Sequence, residues 1–163
     1  MKLREHQKRW EELCRDPSLN GLPYKTETNR RGQLILTPIS VSRSMRMSSV
    51  MRKLDSCAPG GRPLPSFAIA TPGGTKVPDV VWTSGGRLAE MQETGDPTTL
   101  APEICIEVMP EPSDWEEIRT KRKLYLEAGA EEMWVATEEN EVRFFAGEEM
   151  EESSVVEEFP SEL

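Results

Sequence analysis

Two apolar segments of this chain each carry a carboxylate within the apolar run, and this feature constrains the fold most strongly. Segment 76–83 reads KVPDVVWT and contains Asp79, whereas segment 102–109 reads PEICIEVM and contains Glu107. Both segments have the composition of buried strands, in which acidic residues are depleted. A buried carboxylate is costly unless it is paired with a cation or binds a metal. The pattern therefore predicts two adjacent central strands whose acids share a site.

A helix with a lysine on its apolar face is predicted after the second strand. Ser113 and Glu116 have capping-box spacing, and Gly129 marks the end of the helix. The apolar face is formed by Trp115, Ile118, Tyr125 and Leu126. At about 100° per residue, Lys121 falls inside this face. Its ammonium then needs a carboxylate or a phosphate, unless the side chain extends along the surface to reach water.

The N-terminal part is predicted to form a helix, a hairpin and a second helix. These elements span residues 2–15, the strands 22–27 and 33–37, and residues 42–54. Glu27 ends the first strand of the hairpin. It is interpreted either as a further acid of the site or as an exposed glutamate on an edge strand.

The remaining segments complete an α/β fold in which helices flank a mixed sheet. Segment 59–65 is predicted as a Gly/Pro loop, segment 66–70 as a short strand and segment 71–75 as a turn. Segments 132–137 and 141–146 are predicted as a second hairpin. We expect one domain over residues 1–147 and an acidic tail over 148–163. The tail is either partly disordered or docked as a short strand through Val155, Val156 and Phe159.

The composition argues against metal sites built from cysteine or histidine ligands. The three cysteines are far apart and lack metal-ligand spacing, and His6 is the only histidine. A metal would therefore have oxygen ligands, which favours Mg²⁺ or Mn²⁺. The sequence contains no apolar segment long enough to span a membrane and no secretory signal, so we expect a cytoplasmic protein with reduced thiols.

The net charge of −9 argues against nucleic acid as a partner, but its distribution weakens that objection. Residues 1–53 contain 12 Lys and Arg against 5 acidic residues, whereas residues 138–163 contain 10 Glu and one Arg. The N-terminal third is thus a candidate cationic surface.

The ordered segments resemble a known family. LPYKTETNRRGQLILTP, KVPDVVW, APEICIEVMP and KRKLYLEAGAEEMWV occur in this order over residues 22–146. This set is similar to a family of restriction-endonuclease domains within the PD-(D/E)XK nuclease superfamily. The resemblance implies a restriction-endonuclease-like core, DNA as the substrate and, as in many such nucleases, a homodimer.

The resemblance also assigns roles to particular residues. It implies that Asp79, Glu107 and the backbone carbonyl of Val108 bind Mg²⁺ or Mn²⁺. Glu27 is the upstream acid of the implied catalytic set. Lys121 supplies its lysine, because the position two residues after the strand glutamate, where the superfamily lysine is expected, is occupied here by Met109.

Two further departures from the family pattern bear on activity. Pro110 stands where the family often has serine, and Arg43 or a neighbour stands where it often has histidine. The sequence nevertheless favours a metal-dependent DNA endonuclease, because it retains Glu27, Asp79, Glu107 and Lys121. It leaves open an inactive relative that acts as a nucleic-acid-binding or protein-interaction module. A third reading, in which the acids have no functional role, requires Asp79 and Glu107 to be exposed.

Overall fold

A mixed six-stranded sheet forms the centre of the protein, in a computed structural model that describes all residues from 1 to 163. The helices are α1 (Leu3–Cys14), α2 (Val41–Cys57), α3 (Gly85–Glu93) and α4 (Trp115–Glu127). The strands are β1 (Tyr24–Thr28), β2 (Leu34–Pro38), β3 (Gly61–Pro65), β4 (Ile69–Thr71), β5 (Gly74–Lys76), β6 (Val80–Ser84), β7 (Ile104–Val108), β8 (Glu132–Ala136), β9 (Val142–Ala146) and β10 (Glu148–Met150). The large sheet has the order β10-β9-β8-β7-β6-β3, and β1-β2 and β4-β5 form separate two-stranded sheets. The predicted α/β domain with a mixed sheet flanked by helices is confirmed.

Strands β7 and β8 lie at the middle of the sheet and are buried at every residue. They are parallel and therefore need a crossover connection, which α4 supplies. Helix α2 packs on one face of the sheet through Val50 and Leu54, and α4 packs on the other through Ile118 and Tyr125. Because both faces are covered, the central strands are continuous apolar segments in the sequence.

Segment 59–65, predicted as a loop, contains the edge strand β3. It pairs antiparallel with β6. Pro63 and Pro65 lack an amide hydrogen, which is tolerated at the edge of a sheet. At Gly61 the two strands approach so closely that a Cβ atom would lie 2.3 Å from the Thr83 carbonyl oxygen. The turn-like composition of this segment thus conceals a strand.

Segment 76–83, predicted as one strand, is divided between β5 and β6. Strand β5 ends at Lys76 and β6 begins at Val80. Pro78 lies in the break, where its missing amide hydrogen interrupts no ladder. Asp79 consequently lies immediately before β6 rather than inside a strand. Strand β4, the partner of β5, begins at Ile69 rather than at residue 66.

The N-terminal cap of α4 is Asp114 rather than Ser113. The Asp114 carboxylate accepts a hydrogen bond from the Glu117 amide at 3.0 Å. The Ser113 hydroxyl instead donates to Glu138 Oε1 at 2.6 Å. The capping residue is therefore displaced by one position, because Ser113 has a partner in the β8–β9 turn.

The acidic C-terminal segment packs on the sheet. Its strand, β10, pairs with β9, and no strand forms around residues 155–159. Val156 and Phe159 are buried, and the Phe159 ring lies 4.6 Å from the Trp134 ring, centroid to centroid. The buried Glu132 carboxylate accepts hydrogen bonds from Ser153 Oγ and from the amides of Ser154 and Val155. No helix in the structure is both long and apolar enough to cross a membrane.

Candidate active site

Three acids from separate elements converge at one end of β6 and β7. Glu27 lies in β1, Asp79 precedes β6 and Glu107 lies in β7. Their exposed fractions are 1%, 2% and 2%. The interpretation of Glu27 as an exposed edge residue is therefore wrong. So is the reading in which Asp79 and Glu107 are exposed and without a role.

The Asp79 carboxylate is held by three donors. Its Oδ1 atom accepts from Lys25 Nζ at 3.3 Å. Its Oδ2 atom accepts from Arg43 Nη1 at 2.7 Å and from the Val108 amide at 2.8 Å. The hydrogen bond from the Val108 amide connects the segment before β6 to the end of β7. The orientation of this carboxylate therefore follows from the register of the two strands.

The Glu107 carboxylate is likewise bonded at both oxygens. Oε1 accepts a hydrogen bond from the Tyr125 hydroxyl at 2.5 Å and lies 3.5 Å from Lys121 Nζ. Oε2 accepts from Lys25 Nζ at 3.0 Å. The Lys25 ammonium thus lies between Asp79 and Glu107 and bonds to both.

Lys121 reaches the acids from α4, as the sequence predicts. Its ammonium donates to Glu27 Oε1 at 2.9 Å and lies 3.6 Å from Glu117 Oε1. Glu27 Oε2 accepts from the Val77 amide at 2.8 Å. Only 6% of Lys121 is exposed, so the alternative in which its ammonium extends into water is wrong.

The close packing of charges shifts the pKa values of the site. Burial alone would raise the pKa of Glu107, but Lys121, Lys25 and the Tyr125 hydrogen bond outweigh it and lower the pKa to about 2. Burial raises the pKa of Asp79 above its usual value, although Lys25 and Arg43 act against it. Burial opposes the charged form of Lys121, yet the nearby carboxylates of Glu107 and Glu27 raise its pKa.

A cavity of about 20 Å³ leads to these charged groups. This volume accommodates about one water molecule. It is lined by Lys25, Thr37, Arg43, Glu107, Val108, Pro110, Glu117, Ile118 and Lys121. Three cations and two carboxylates therefore line one small space, where an anionic group such as a phosphate would meet an excess of positive charge.

Two residues of the site were not recognised as such from the sequence. Lys25 was missed, although it lies two residues before Glu27 and therefore shares its face of β1. Arg43 was noted only as a departure from a family pattern, and the structure shows it in contact with Asp79. It comes from the first turn of α2, which Ser40 caps by accepting from the Arg43 amide at 3.1 Å.

The donor set fits one hard divalent cation. No group of three or more His, Cys, Asp or Glu side chains is placed to hold a metal. Asp79 Oδ1 and Glu107 Oε2, however, converge on a single position that a side-chain cation already fills. Mg²⁺ is commonly bound through one or two carboxylates, with water and substrate phosphate as further ligands. The pair therefore fits that mode of binding once the Lys25 ammonium moves.

Comparison with known proteins places the chain in a family. A family model described as "Uma2: Putative restriction endonuclease" matches residues 10–162. The chain belongs to the Uma2 family. No curated protein matches this Uma2 chain significantly.

Among solved structures, the Uma2 chain is similar to a protein from Anabaena variabilis described as a putative nuclease belonging to DUF820. The two share 18% sequence identity, with a TM-score of 0.61. The match covers 77% of this chain and 75% of the other. At this identity the similarity concerns the fold. Together with the family match, it confirms the resemblance on which the sequence interpretation rests.

Proposed function

We propose that this protein is a metal-dependent DNA endonuclease that hydrolyses phosphodiester bonds. The observation that carries the proposal is the convergence of Asp79 Oδ1 and Glu107 Oε2 on one cation position. In this proposal the two carboxylates and the Val108 carbonyl hold Mg²⁺ or Mn²⁺. Membership of a family described as restriction endonucleases supports a nuclease role and DNA as the substrate.

The cation and the side chains have different roles in the proposed hydrolysis. When bound, the cation polarises the scissile phosphate and lowers the pKa of an attacking water. The Lys121 ammonium lines the cavity and lies 3.5 Å from Glu107 Oε1, so it stabilises the negative charge that develops on the phosphate.

Glu27 and Tyr125 are positioning residues in this account. Glu27 Oε1 accepts from Lys121 Nζ, and the Tyr125 hydroxyl donates to Glu107. Each contact holds one reacting group in a buried environment, where a fixed charge is more effective than in water. Arg43 lines the same cavity and offers a further positive charge to the substrate phosphate.

The proposal is tested by cleavage of supercoiled plasmid and single-stranded DNA with Mn²⁺, Mg²⁺ or EDTA. The Glu107→Gln variant removes one proposed metal ligand. Glu103→Gln is the matched control, because Glu103 is also buried, lies four residues earlier and bonds to Ser84 instead. We expect cleavage with metal by the wild type and Glu103→Gln only. Equal cleavage by Glu107→Gln would contradict the site assignment.

A second candidate function is a non-catalytic nucleic-acid-binding or protein-interaction module. It is favoured by the bonding of the acids, because every oxygen of Asp79 and Glu107 lies against a donor within the chain. This candidate predicts no calorimetric signal for Mg²⁺ at millimolar concentration. Mg²⁺ binding that is lost in Asp79→Asn would count against it.

A further inference from the structure

We propose that Lys25 is a tethered cation that occupies the metal position between Asp79 and Glu107 and competes with the divalent ion. Its Nζ atom lies 3.3 Å from Asp79 Oδ1 and 3.0 Å from Glu107 Oε2. This inference rests on the proposed function, since it concerns the same two carboxylates. It adds a residue that sets the affinity for metal.

The contacts of the three cations that line the cavity, Lys25, Arg43 and Lys121, distinguish Lys25 from the other two. Lys121 has Glu27 as a partner outside the metal pair, and Arg43 bonds to the Asp79 oxygen that also accepts the Val108 amide. Both acceptors of Lys25, in contrast, are proposed metal ligands. A divalent ion bound by these oxygens would lie against the Lys25 ammonium, and the two like charges repel strongly in a buried site.

The position of Lys25 in the fold allows its side chain to leave. It lies in the two-stranded β1-β2 sheet, which has no strand pairing with the large sheet. Its side chain is 11% exposed and lines the cavity. A lysine side chain has four rotatable bonds and a compact charge, so the ammonium can move toward the cavity without a change in the central strands.

The balance of charges in the cluster also supports competition between Lys25 and a divalent ion. The three acids Glu27, Asp79 and Glu107 face the three cations Lys25, Arg43 and Lys121 in pairs within 4 Å. With Lys25 in place, the three buried acids have no excess negative charge to attract a cation, since the further acid near Lys121, Glu117, has a side chain that is 41% exposed to water. Displacement of its ammonium restores that charge at the position where the divalent ion binds.

The first test is calorimetric titration of the full chain with Mn²⁺. Lys25→Gln removes the competing charge, and Lys123→Gln, an exposed lysine on α4, is the control for net charge. We expect the Kd for Mn²⁺ to fall at least about tenfold in Lys25→Gln, because a unit charge within a few ångströms is removed. We expect little change in Lys123→Gln, and loss of the tight site when Asp79→Asn is added to Lys25→Gln.

The outcomes separate the two proposals. Mn²⁺ binding of equal or lower affinity in Lys25→Gln than in the wild type would overturn the role of Lys25 and leave the proposed function standing. No Mn²⁺ binding by any of these proteins would overturn both.

A second measurement needs no variant. Crystals of the wild type soaked in Mn²⁺ should show an anomalous peak between Asp79 and Glu107, with Lys25 Nζ moved out of hydrogen-bond distance from both. A peak at this position with Lys25 still bonded to the two carboxylates would overturn the inference.

Discussion

Lys121 Nζ lies 2.9 Å from Glu27 Oε1, although the two residues are 94 positions apart in the sequence. This contact joins α4 to β1 through a pair of charges that are both nearly inaccessible to water. Removal of one member of a buried pair leaves the other charge without compensation, which is more costly than the loss of an exposed pair. The contact therefore links the stability of the fold to the arrangement of the site.

Replacement of Lys121 by methionine should destabilise the protein. The variant leaves Glu27 buried without its ammonium, and we expect a loss of about 3–5 kcal/mol in the free energy of unfolding. Urea unfolding measures this loss. The control is Lys123→Met, an exposed position on the same helix, which should change stability by less than about 0.5 kcal/mol. A loss below about 1 kcal/mol in Lys121→Met would show that the pair contributes little.

Glu107 should make stability depend on pH in the acid range. Its pKa in the folded protein is about 2, below the unfolded value of 4.5, so ionised Glu107 contributes stability above the unfolded value. That contribution is lost as the pH falls through the folded value. From about pH 5.5 to about pH 2, the stability of the wild type relative to Glu107→Gln should fall by about 3 kcal/mol. Urea unfolding in EDTA tests this, and parallel curves for the two proteins would contradict it.

His6 should titrate below its usual range. It is the only histidine, it is fully buried, and neither ring nitrogen has a hydrogen-bond partner in the protein. Burial, with the N-terminal ammonium, lowers its pKa from 6.5. Because the folded state binds the proton less readily, stability should fall as the pH drops below about 6.5.

The presence of a single histidine makes this measurement direct. A proton NMR titration should give a midpoint below 6.5, and His6→Phe should lose less stability than the wild type as the pH falls through that value. A midpoint at or above 6.5 would contradict the prediction.

Phe159 should be required for the stability of the sheet, although it lies in the acidic C-terminal segment. Its ring packs on Trp134 and Phe144, and only 3% of the residue is exposed. Phe159→Ala should cost about 3–5 kcal/mol, as for other buried aromatic residues. Thermal unfolding compares it with Glu157→Ala, an exposed substitution in the same segment that should have little effect. A small cost for Phe159→Ala would support the predicted domain boundary at residue 147.

The central strands and the buried lysine could be predicted because each has a periodic signal. Ile104, Ile106 and Val108 alternate with Cys105 in the sequence and pack on the predicted faces. Lys121 falls on an apolar helix face at helical spacing and is buried there. The continuous apolar composition of the strands follows from the covering of both faces of the sheet, and the helical spacing of α4 places Lys121 on its buried side.

Other features of the fold and of the site depend on contacts between distant segments, for which the local sequence carries little or no signal. The composition of β3 is that of a loop, and its pairing with β6 becomes visible only in the sheet. Arg43 is an ordinary helix residue until α2 is placed beside Asp79. Lys25 has a usable signal, its two-residue spacing from Glu27, but its bonds to Asp79 and Glu107 depend on how the β1-β2 sheet packs.

The most direct test of the proposed nuclease is the rate of plasmid cleavage by the wild type and Asp79→Asn at the same Mn²⁺ concentration. Circular dichroism and thermal unfolding of both proteins establish that the variant is folded. Because a bound cation contributes several kcal/mol to the stabilisation of the transition state, we expect the rate to be lower by about hundredfold or more in the variant. Equal metal-dependent cleavage by folded Asp79→Asn would contradict it.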